Sequence, residues 1–88
     1  MSGDFDELRD RIAENDRKIV ERVNARLRLV AELWRLKEEQ GTPRLDPVRE
    51  ARLRESLAAA NEGPLTPEGL DRLVRELLAL TKDELGGA

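Results

Sequence analysis

The chain has 88 residues, the size of one domain, with 16 Lys+Arg against 19 Asp+Glu, a formal net charge of −3, and neither Cys nor His. These counts exclude disulfides, a thiol nucleophile, thiolate or imidazole metal sites and a histidine general base. They also lack the basic excess of a nucleic-acid binder, and with Phe5 and Trp34 as the only aromatics no base-stacking platform is expected.

No apolar run approaches about 18 residues, so no membrane contact is expected. The opening MSGDFDE has no basic n-region and no apolar h-region. The expectation is a soluble, cytoplasmic protein. The first four residues are expected to form a loose tail. Asp4 or Asp6 can cap the helix that follows, and Asp6 and Glu7 suit its positive end.

That helix is predicted over about 5–40. Its thirty-six residues contain no Pro and no Gly and are rich in Leu, Arg, Glu and Ala, the residues that lose least on entering a helix. Phe5, Leu8, Ile12, Ile19, Val23, Leu27, Val30, Leu33 and Trp34 recur at the helical period. A helix this long would reach roughly 54 Å and cannot bury its stripe against itself. It calls for other helices and for a second chain.

The stripe carries charge. At about 100° per residue, Arg26 falls within roughly 20° of Leu8 and Ile19, and Lys37 falls in line with Ile19. Arg9 and Asp16 lie at one edge, beside Leu27 and Trp34. One reading is that the aliphatic stems lie on the core while the charges reach water. The other is that buried charges need partners and a bound dianion supplies them. Arg26 and Lys37 are separated by roughly 16 Å of rise, a gap that two long side chains can close around one small ligand. Arg9 and Arg26 are roughly 25 Å apart on one helix. If Arg9 serves the same site, it comes from the antiparallel long helix of a second subunit.

Gly41 is a helix stop followed by Pro43. Asp46-Pro47 then pairs an N-cap with proline at the first helical position and opens a second helix over about 47–60, bearing Val48, Leu53 and Leu57. Glu50 in its first turn favours the positive helix end, whereas Arg49 opposes it and asks for a partner anion. Asn61-Glu62-Gly63-Pro64 is a turn cluster. Thr66-Pro67 repeats the start signal for a third helix over about 67–85, with a stripe of Leu70, Leu73, Val74, Leu77, Leu80 and Thr81. The Thr81 hydroxyl on that stripe either bonds back to the carbonyl four residues earlier or serves a site. Residues 86–88 are expected to be a loose end. The fold class is therefore all-α, with one very long, one short and one medium helix in a single domain over 1–88.

The pattern L-R-x-x-I at residues 8–12, Arg26 in mid-helix, Lys37 near the helix end and LDPVRE at residues 45–50 together resemble the all-helical class of chorismate mutase. The phrase KEEQGTPRLDPVRE is especially similar to the variety that also occurs fused to the aldolase opening aromatic amino-acid biosynthesis. The resemblance covers about 8–85. It implies an intertwined antiparallel helical homodimer with two shared sites, each rearranging chorismate to prephenate without cofactor or metal. It further implies that Arg9 reaches a substrate carboxylate from the partner subunit, Arg26 holds a carboxylate and Lys37 donates to the ether oxygen. Asp46 would lie beside the substrate hydroxyl, Glu50 would accept from it, and Arg49 would complete the electrostatic network. Thr81 stands where the family often has Ser, near a carboxylate.

The residue chemistry agrees with this. A Claisen rearrangement is unimolecular and needs a restrained conformer, together with cations where charge grows on the ether oxygen. One position departs from the family. Its second ether-oxygen donor, Gln or Glu, falls here at Leu85, with Glu84 one residue earlier. Either Glu84 replaces it, donating only when protonated and so favouring lower pH, or the group is absent and activity is weak. Two other functions stay open on sequence: an isochorismate pyruvate lyase using the same cations, and a non-catalytic regulatory partner of the pathway aldolase.

Overall fold

The computed structural model describes residues 2–86, which form three helices: α1, Ser2–Gln40, α2, Pro47–Ala60, and α3, Pro67–Glu84. No strand occurs among the described residues. α1 begins three residues before the expected start, because nothing in Ser2-Gly3-Asp4 breaks the helical run. Asp4 therefore sits inside the first turn, where its charge faces the positive helix end. Asp4 and Asp6 lie inside the helix rather than at its N-cap position. Met1, Gly87 and Ala88, which the sequence assigned to loose ends, lie outside the described residues.

Each helix boundary has a local cause. Gly41, at φ 69°, ends α1 in the left-handed conformation that glycine adopts without strain. Its N–H bonds the Glu38 carbonyl at 3.2 Å, and the Thr42 N–H bonds the Lys37 carbonyl at 2.8 Å. This is the paired closure of a Schellman end. Asp46 caps α2 by accepting from the Arg49 N–H at 3.1 Å, and Thr66 caps α3 by accepting from the Gly69 N–H at 3.0 Å. In the turn between α2 and α3, the Asn61 side chain donates to the Leu65 carbonyl at 2.9 Å and accepts from the Gly63 N–H at 3.0 Å.

α3 packs against both other helices, whereas the α1 and α2 backbones do not approach each other closely. The gap left between them holds the site described below. Val74, 2% exposed, is the buried hydrophobic core residue. Leu70 and Leu77 of the same stripe are half-covered. On α2, Leu53 and Leu57 are half-buried, but Val48, in the first turn, is exposed. Arg54 pairs with Asp71 at 2.8 Å across α2 and α3, and Arg75 joins Asp71 at 3.1 Å. These side chains face solvent, where such pairs contribute under about 1 kcal/mol.

The molecule measures 60 × 23 × 18 Å, so its length is set by α1 alone. Residues 3–22 of α1 are all exposed. Phe5, Leu8, Ile12 and Ile19 keep 53–60% of their surface open. An apolar row of this kind is the usual mark of an interaction surface. No described helix is long and apolar enough to cross a membrane.

Because Val74 is the best-covered apolar side chain, Val74→Ala should lower stability by about 1.5–3 kcal/mol. Urea unfolding at fixed protein concentration measures this. A midpoint equal to wild type would mean that Val74 is not what holds α3 in place.

Candidate active site

The cavity between α1, the 41–46 connection, the start of α2 and the end of α3 has a volume of about 310 Å³, within the range of small-ligand pockets. Five cations line it: Arg26 and Lys37 from α1, Arg44 from the connection, Arg49 from α2 and Lys82 from α3. Asp46 and Glu50 are the acids in its wall. Leu29, Val30, Leu33, Trp34, Leu53 and Leu78 supply the apolar part. The chain as a whole is acidic, yet this one cavity holds an excess of three positive charges.

None of the five cations forms an ion pair among the described residues, although Arg17, Arg35, Arg54 and Arg75 all do elsewhere. Arg26 is half-buried and donates from Nη1 to Thr81 Oγ1 at 2.5 Å. Thr81, 5% exposed, donates its own O–H to the Leu77 carbonyl at 2.7 Å. The hydroxyl thus makes the back-bond read from the sequence and also accepts from Arg26. With its single donor engaged, it offers only lone pairs toward Arg26. Lys37, also half-buried, donates from Nζ to the Arg44 carbonyl at 3.2 Å.

Six of the residues singled out in the sequence therefore converge on one cavity: Arg26, Lys37, Asp46, Arg49, Glu50 and Thr81. Two do not. Arg9 stands far along α1, its guanidinium 4.1 Å above the Phe5 ring. Glu84 is exposed at the last residue of α3 and lies outside the cavity wall. Leu85, half-buried, closes that helix with its N–H on the Thr81 carbonyl at 3.0 Å. Sequence reasoning missed Arg44 and Lys82. Arg44 sits in a connection with no periodicity to place it. Lys82 follows Thr81 by one residue, about 100° off the stripe.

Fold and site together define an all-helical protein with a cation-rich, partly apolar cavity suited to a small anionic ligand. The chorismate mutase type II family model matches residues 8–84. The chain belongs to that family, the all-helical class of chorismate mutase, and its reaction class is isomerisation. No curated protein matches the chain.

The link between Arg26 and Thr81 gives a test independent of catalysis. Thr81→Val keeps the shape but removes the acceptor, and should cost about 1–3 kcal/mol, the scale of a lost partner for a buried donor. Thr81→Ser should recover most of it. Equal thermal stability of the two variants would mean that the hydroxyl does not tie α1 to α3.

Proposed function

We propose that the protein rearranges chorismate to prephenate, at the branch leading to phenylalanine and tyrosine. The observation that carries this reading is the set of five cations around one cavity without an ion pair among the described residues. Chorismate is a dianion, and its two carboxylates supply the missing counter-charges. The reaction breaks the ether C–O bond and forms a C–C bond within one molecule, with no proton shuttle. A site without His or Cys is therefore not handicapped. Confinement between the apolar wall and the cations selects the compact conformer, and a fixed cation stabilises charge growing on the ether oxygen.

We assign Arg26 to a substrate carboxylate, with Thr81 orienting its guanidinium. Lys37 donates to the ether oxygen. Asp46 lies beside the substrate hydroxyl, Glu50 accepts from that hydroxyl, and Arg49 completes the field around them. Because Glu84 lies outside the wall, the ether oxygen is left to Lys37 in this arrangement. Lys37→Ala should then lose about 2.7–4 kcal/mol of transition-state stabilisation, as for a lost oxyanion donor. The measurement is loss of chorismate absorbance with prephenate identified as product. Near-normal turnover by Lys37→Ala would remove it from this role. Isochorismate serves as the second substrate: pyruvate release from it, with chorismate untouched, would make the protein a lyase instead.

We further propose that residues 1–88 act as one domain in an antiparallel homodimer. Support comes from the open apolar row on residues 3–22 and from the thin core of a lone chain. Arg9 would then enter the partner's cavity. Light scattering at micromolar concentration should give about twice the 10.0 kDa chain mass. Arg9→Ala and Arg26→Ala homodimers should each be nearly inactive. Unfolded together and refolded, they pair at random, and each mixed dimer keeps one intact site. Activity should return to roughly one quarter of wild type, given additivity of separate sites. Mixed dimers verified by a tag but still inactive would sink the shared site.

A further inference from the structure

Trp34 and Lys37 lie three positions apart on α1 and so occupy neighbouring places on one face. Arg44, from the connection to α2, engages both. Its guanidinium carbon lies 4.6 Å from the centroid of the Trp34 ring. Its backbone carbonyl accepts from Lys37 Nζ at 3.2 Å. One residue of the connection is thus fastened across one turn of the long helix, by its side chain on one side and its backbone on the other. An indole is the best aromatic face for a cation, and Arg44 has no carboxylate partner among the described residues that competes for it.

This brace sits where the fold has little else. The backbones of α1 and α2 do not approach each other closely, since the cavity lies between them. Two residues after Arg44 comes Asp46, the N-cap of α2, and the first turn of α2 then brings Arg49 and Glu50 into the wall. Where the connection sits therefore decides both where the α2 end of the cavity stands and where the Lys37 ammonium points. An ammonium has three donors, so the bond to the Arg44 carbonyl fixes its direction and leaves two for a ligand.

We propose that Arg44 is a positioning residue of this site, holding the connection against Trp34 so that its carbonyl aims the Lys37 ammonium into the cavity. Only the kinetic consequence rests on Lys37 being the ether-oxygen donor. The geometric consequence stands without it.

The test uses the full chain with Arg44→Ala, Arg44→Lys and Trp34→Leu. Lys37 ε-methylene signals are followed by NMR in all three, and the single Trp34 indole signal wherever it remains. Arg44→Ala should move both signals, and Trp34→Leu should move the Lys37 signal in the same direction. Arg44→Lys, which keeps a cation for the ring, should restore part of the shift. With chorismate, kcat of Arg44→Ala should fall about ten- to a hundredfold, the scale of a small misplacement of a reacting group, while KM changes little. A Lys37 signal unmoved in Arg44→Ala overturns the brace. A raised KM with intact kcat also overturns it, and makes Arg44 a direct anion contact. If the wild-type protein leaves chorismate untouched, the mutase reading fails by itself, and the Lys37 and Trp34 signals still decide the brace.

Discussion

Arg26 carries its charge on the face of α1 that α3 covers, and a half-buried guanidinium there must find an acceptor other than bulk water. Thr81 provides it with the lone pairs of one hydroxyl, whose proton is already committed to the Leu77 carbonyl. That chain of bonds fixes the rotation of α3 against α1. It also holds the Arg26 head in the wall of the cavity. Val74 packs two turns earlier on the same stripe of α3, so apolar burial and the polar link act along one line.

The rest of the site follows from leaving charge uncompensated. Arg17, Arg35, Arg54 and Arg75 find carboxylates within a turn of helix or on the neighbouring helix. Around the cavity no cation is so paired among the described residues; there Asp46 is engaged in capping α2 and Glu50 is a single further acid among five cations. Cations held close together without counter-ions are unfavourable in the empty protein. The same repulsion is relieved when a dianion enters, which makes charge the first criterion for a ligand. The apolar wall adds shape to that selection.

Length and core are in tension in this molecule. α1 extends over the full 60 Å, but the other two helices cover only its C-terminal half. The uncovered half carries apolar residues at the same period as the covered half, so the sequence draws no distinction between them. A chain of this size buries too little surface to leave such a row open without consequence. The proposed second copy would cover it and would bring Arg9, stranded beside Phe5 in a single chain, to a cavity it cannot reach along its own helix.

The sequence by itself determined the three helices and the caps between them. Proline after Asp46 and Thr66, glycine at 41 and the period of the apolar residues are local signals, each acting within a turn or two. Arg26 and Lys37 were legible as site candidates for the same reason: a charge on an apolar stripe is visible on a helical wheel. What the wheel could not supply is distance between elements. The tertiary structure brought Thr81 onto Arg26, left Glu84 outside the wall, exposed Val48, and drew Arg44 and Lys82 into the cavity. Arg44 lies in a connection without periodicity, and its two anchors on α1 meet it only because the Gly41 turn folds the chain back over that helix. On the wheel Glu84 falls within the α3 stripe and Lys82 about 100° from Thr81, yet Lys82 lines the cavity and Glu84 does not, because the tilt of α3 against α1 decides which side chains at its end meet the wall. That tilt is set by side-chain packing between helices, which no local pattern encodes.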